Sequence, residues 1–144
     1  MAVWFEAPPA DDPDGGRRPP RPWRAKFRDA YRGLKLGVRG HSSFFVHFFF
    51  AALVLAAAVV LGCSVEQWGV LLLCVGLVLT AELFNSAIET LFRGLDPATK
   101  ERAWPALDIA AGAVLMASGV AAVVGTVIFV RRLVQLLGWT LLAG

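Results

Sequence analysis

The alternation of hydrophobic and polar positions divides the chain into an aperiodic arm, a basic helical stretch and three long apolar runs. Residues 1–22 (MAVWFEAPPADDPDGGRRPPRP) mix Pro, Gly, Asp and Arg without a period and predict a disordered arm. Over residues 24–39, Phe27, Ala30, Tyr31, Leu34 and Val38 fall at helical spacing, and Lys26, Arg28, Arg32, Lys35 and Arg39 fill the remainder. This is the pattern of a basic amphipathic helix lying on a membrane surface. Gly33 and Gly37 lower its intrinsic helicity, so the bilayer or neighbouring helices are needed to form it. The apolar runs, residues 43–62, 67–92 and 106–130, are each long enough for a hydrocarbon core of roughly 30 Å, which takes about 20 helical residues. The link GCSVEQ leaves room only for a tight turn, whereas RGLDPATKERAW is longer and polar. In the tail, residues 131–144, Leu133, Leu136, Leu137 and Leu141 recur at helical spacing and predict a segment lying along the outer surface. The expected fold class is an all-α membrane protein: an amphipathic surface helix and three transmembrane helices in one domain, residues 23–130.

Composition supports the membrane reading and gives it a direction. With 57% hydrophobic and 17% charged residues, the 144-residue chain is too apolar for a soluble domain of its size. Its net charge is only +3, yet nine of the fourteen basic residues precede Ser42. That concentration points to an anionic membrane surface or a phosphate-bearing ligand, while the basic face of a soluble nucleic-acid-binding domain is missing. Placing twelve of the fourteen Lys and Arg on one side makes the amino terminus and the second link cytoplasmic, in an inner membrane. Arg131 and Arg132 fall outside, against the rule. Trp68 and Trp104 suit the two interfacial belts. The first apolar run begins only near Ser43, so no cleavable signal is expected. Cys63 and Cys74 have no metal-ligand spacing and read as small hydrophobes.

Candidate chemistry lies in AELFNSAIETLF, at the cytoplasmic end of the second run. Glu82 and Glu89 are seven residues apart, which on a helix is about 10 Å along the axis and within about 20° of the same face. Asn85 lies between them, and Asp108 opens the third run at a similar depth. Carboxylates at membrane depth cost several kcal/mol and so call for a function. They suit Mg²⁺, a hard cation that keeps waters and bridges substrate phosphates, and a deeper carboxylate can take a proton from an alcohol. Intramembrane acids also relay protons or ions, and Asn with Glu can bond helices together. The residues alone leave enzyme, ion pathway and structural glue open. Neither GxxxxGK[ST] nor a GxGxxG turn after a strand is present, so a nucleotide site would be built differently.

The run from Glu82 to Glu89, ELFNSAIE, resembles the signature of the small prokaryotic diacylglycerol kinase family, which includes undecaprenol kinase. The resemblance spans residues 24–130. It takes in Arg32-Gly33-Leu34-Lys35, the aromatic start of the first run and DIAAGAV from Asp108 to Val114. It implies a homotrimer with active sites between subunits, transferring the γ-phosphate of MgATP to a lipid alcohol at the cytoplasmic face. It further implies Glu82 as general base, Asn85 as its orienting partner, Glu89 as a ligand of Mg²⁺ and phosphate, and Asp108 in the nucleotide site. Arg24, Arg32, Lys35 and Lys100 become candidates for phosphate or headgroup contacts. The stretch from Val65 to Leu73 and His47 at the start of the first run look more like the undecaprenol kinase branch.

Three positions depart from the family pattern. His41 stands where a second metal-binding glutamate is usual, and a neutral imidazole is a poor partner for Mg²⁺ even where it acts as a ligand. Arg93 replaces an aspartate four residues after Glu89, and Leu107 replaces a lysine before Asp108. Arg93 and Lys100 are the candidates to restore positive charge. The expected activity is therefore a membrane lipid kinase using ATP and Mg²⁺ on diacylglycerol or undecaprenol. The alternative is a catalytically weakened relative acting as a membrane-embedded binding or assembly protein.

Overall fold

The protein, seen in a computed structural model, is described over residues 22–40 and 43–142, with backbone only at residues 40 and 139–142. Four helices follow one another: α1 (Trp23–Gly40), α2 (Ser43–Val60), α3 (Val65–Arg93) and α4 (Pro97–Leu142), and the described residues contain no strand. The arm up to residue 21 and His41 lie outside the described residues. The chain divides into two compact units, residues 1–33 and 34–144. In the first, α1 begins with Trp23 edge-on to Phe27, ring centroids 4.5 Å apart. The second holds the end of α1 and the other three helices, where Gly37 lets α1 pass close to Leu83. A Cβ on Gly37 would come within 2.7 Å of the Leu83 Cδ1 methyl.

α2, α3 and α4 are each long and apolar enough to cross a membrane. Only 11%, 22% and 11% of their most apolar windows are buried inside the protein, so most of their apolar side chains face outward. Phe45, Phe49, Leu73, Leu115 and Met116 are among these exposed groups. Such surfaces suit hydrocarbon or further transmembrane helices rather than water. Where the helices meet, the buried residues are mostly small or medium: Ala58, Leu71, Ala110, Val114 and Ala117. Small residues let membrane helices approach closely, and here α3 packs along α4 and, less extensively, against α2.

Both turns are explained by local chemistry. α2 ends in a Schellman arrangement: Gly62 has φ of 59°, its N–H donates to the Val59 carbonyl and the Cys63 N–H donates to that of Ala58. Ser64 then caps α3, accepting from the Gln67 N–H while the Gln67 side chain accepts from the Ser64 N–H. Arg132, from far along α4, donates to the carbonyls of Leu61 at 3.2 and 3.0 Å and of Gly62 at 2.6 Å. The basic residue that ran against the sidedness rule thus satisfies backbone acceptors at the end of α2.

The second link differs from expectation. Only Gly94, Leu95 and Asp96 separate α3 from α4. Asp96 accepts from the N–H groups of Ala98 and Thr99, each at 3.1 Å, and Pro97 takes the first helical position, where its missing N–H costs nothing. These hydrogen bonds hold the Asp96 carboxyl below the usual carboxylate range, the Thr99 contacts foremost. α4 then runs for 46 residues, about 69 Å, through Pro105 and on past Arg132. Pro105 removes a donor only from the Glu101 carbonyl, on an exposed residue, so the helix continues. The predicted tail is likewise the continuation of α4 as far as Leu142.

Candidate functional site

Glu82 is 2% exposed and sits one turn before Ser86, itself 1% exposed, on the inward face of α3. A buried carboxylate needs polar partners, and α2 supplies a hydrogen bond and a nearby imidazole. The Ser43 hydroxyl, in the first turn of α2, donates to Glu82 Oε1, and His47 Nε2 lies 3.5 Å from Glu82 Oε2. Ser43 and His47 are four residues apart and so lie on one face of α2, closing over the carboxylate from one side. Neither was singled out as a site residue by spacing. The missed signal was the i, i+4 polar pair, Ser43 and His47, in an otherwise apolar helix.

Asn85 and Glu89 form a second cluster. The Asn85 amide donates to Glu89 Oε1 at 3.0 Å, and Arg93 approaches Glu89 Oε2 at 3.3 Å. Asn85 therefore orients Glu89; the expected contact with Glu82 is made by Ser43 and His47 instead. Asn85 stands only about 60° around the helix from Glu82, but its amide is taken up by Glu89 one turn further on. Asn85 also lines a cavity of about 370 Å³ between α3 and α4, together with Ala81 and Ile88 and with Ala106 and Ala113.

The remaining expected residues are more dispersed. Asp108 is exposed, on the stretch of α4 opposite this part of α3, and Lys100 is half-buried in the first turns of α4. Arg24 is exposed on α1, within residues 1–33. No three His, Cys, Asp or Glu side chains gather closely enough to hold a metal among the described residues, and His41 lies outside them. Within one chain the described acids therefore do not converge as expected. Of the two signature glutamates, Glu89 is the one that offers a partly exposed hard oxygen set, with a side chain 37% exposed. That fits a Mg²⁺ ion carried mainly by water and substrate phosphates, since such ions take one or two protein carboxylates.

A helical membrane protein with a polar, buried carboxylate site at one end of its apolar bundle is the class defined by this fold and site. The model of the prokaryotic diacylglycerol kinase family matches residues 28–129, and the chain belongs to that family of membrane lipid kinases. Comparison with curated proteins and with solved structures gives no match.

Proposed function

We propose that the protein transfers the γ-phosphate of ATP to the hydroxyl of a lipid alcohol, diacylglycerol or undecaprenol, at the cytoplasmic face of an inner membrane. The observation that carries this reading is the Glu82 carboxylate, buried in the bundle yet held by Ser43 and His47. A carboxylate so held is a preorganised proton acceptor for an alcohol that arrives from the hydrocarbon side. As the lipid oxygen bonds to the γ-phosphorus and the bond to the β-phosphate oxygen breaks, Glu82 takes the hydroxyl proton and ADP leaves. Ser43 and His47 keep the acceptor oxygens aimed, and the Asn85 amide holds Glu89. Mg²⁺, bound by Glu89 and the phosphates, would supply charge neutralisation. Asp108, Lys100 and Arg24 are the candidates for contacts to the nucleotide. Completion of this dispersed set by neighbouring copies in a homotrimer belongs to the same reading.

The test uses purified protein in lipid with labelled ATP, Mg²⁺ and each lipid alcohol. Glu82→Gln is expected to lower lipid phosphate formation by about 10²-fold or more, the typical weight of a general base. Lipid phosphate no higher in the native protein than in that variant, for both lipids, would sink the kinase reading. The Arg93 guanidinium on Glu89 favours a second reading, a weakened relative that binds lipid without turning it over. Retained lipid binding with no phosphate transfer would select it.

A further inference from the structure

Between α2, α3 and α4 lies an apolar groove of about 510 Å³, lined among others by Phe50, Val54, Leu71 and Phe129. Its volume is within the range of small-ligand sites. His47, the residue against Glu82, stands in its wall, so the groove runs from the candidate base into the depth of the bundle.

One polar group inside this groove has no partner. The Ser118 hydroxyl is buried, lines the groove and makes no hydrogen bond among the described residues. A serine in a helix ordinarily returns its hydroxyl to the carbonyl four residues back. Thr80 and Thr90 do so here, to Gly76 at 2.7 Å and Ser86 at 2.8 Å, but Ser118 does not. An unpaired hydroxyl in an apolar cavity costs free energy that a ligand acceptor would return.

The depth of Ser118 follows from the antiparallel packing. Ala81–Ile88 share one cavity with Ala106–Ala113, and Leu71–Leu79 share the groove with Ser118–Phe129. Glu82 is therefore level with the region of Ala113 and Val114, and Ser118 lies a little over one helical turn, roughly 6–7 Å, deeper. A lipid that presents its hydroxyl to Glu82 meets Ser118 just below it. A glycerolipid carries ester carbonyls at that distance, whereas a polyprenol carries only hydrocarbon.

Given the kinase reading above, we propose that this groove holds the apolar body of a diacylglycerol and that Ser118 selects it by donating a hydrogen bond to an ester carbonyl. Ser118 is then a specificity residue, one turn away from the reacting atoms. The choice runs against the likeness of residues 65–73 and His47 to the undecaprenol kinase branch, and it rests on the unpaired Ser118 hydroxyl.

The experiment compares three probes with the full-length protein in nanodiscs: a 1,2-diacylglycerol, the chain-matched dialkylglycerol lacking both carbonyls, and undecaprenol. Phosphorylation and equilibrium binding of the labelled lipids are both measured. The native protein is expected to prefer the diacyl over the dialkyl lipid by about tenfold, the weight of one hydrogen bond. Ser118→Ala brings that ratio to about one, and Ser118→Thr, which keeps a hydroxyl, restores it. Undecaprenol used as well as diacylglycerol, or a Ser118→Ala loss shared equally by all three lipids, overturns the proposal. If no lipid is phosphorylated, the kinase reading fails. A diacyl binding preference that disappears in Ser118→Ala still supports the groove, and absence of that preference overturns it.

Discussion

At the scale of single residues, the two glutamates of the signature have different surroundings and should answer differently to substitution. Glu82 is buried against α2, while Glu89 is partly exposed between Asn85 and Arg93. Hydrogen bonds to a charged group contribute roughly 1.5–3 kcal/mol, so Ser43→Ala is expected to lower kcat about tenfold or more, and His47→Ala, which removes a 3.5 Å contact rather than a hydrogen bond, by less. The KM for ATP should be unchanged, because neither residue approaches Glu89; steady-state kinetics with varied ATP and lipid separate the two parameters. Arg93→Ala removes a partner competing for Glu89, and the Mg²⁺ concentration for half-maximal rate should fall by a few-fold, as the modest worth of an exposed pair allows. A metal titration of the rate measures it. Glu82, Asn85 and Glu89 stood out in the sequence because polar residues in an apolar run are costly. Ser43 and His47 did not, since their value depends on the register in which α2 meets α3, which no spacing within one helix encodes.

At the scale of helices, what could be read in advance was the existence of the apolar stretches, and what could not was their continuity. Periodicity announced the hydrophobic runs, but Pro105 and the charged residues before it gave the appearance of a loop. The signal for the actual start was present in Asp96-Pro97, a capping residue followed by a proline suited to the first turn. Asp96 also gives a pH test. Its carboxyl is held low in the folded state, so its stabilising contribution is complete above the unfolded carboxylate range, near pH 3.9. It is lost as pH falls through the lowered folded value. Asp96→Asn keeps a capping oxygen without the titration, so the lead of the native protein in melting temperature over that variant should begin to shrink below about pH 4 and vanish once the pH lies under the lowered folded value. Thermal scans across pH check this. At the opposite end, Arg132→Ala leaves the Leu61 and Gly62 carbonyls without their donor, and a loss of about 2 kcal/mol in unfolding free energy is expected from denaturant titration in detergent.

At the scale of the whole molecule, three spans of unequal length share one bundle. α2 has 18 residues, about 27 Å, against 29 in α3 and 46 in α4. The shortest is also the most constrained: Arg132 grips the turn after its last residue, and Ser43 and His47 bind Glu82 at its first turns. A bilayer thicker than α2 therefore cannot be met by sliding that helix without pulling on one grip or the other. Hydrophobic mismatch of this kind costs fractions of a kcal/mol per Å, enough to shift weak contacts. The acyl length of the surrounding lipids thus becomes a mechanical load applied at the base itself, and turnover should decline in long-chain bilayers while ATP affinity holds steady.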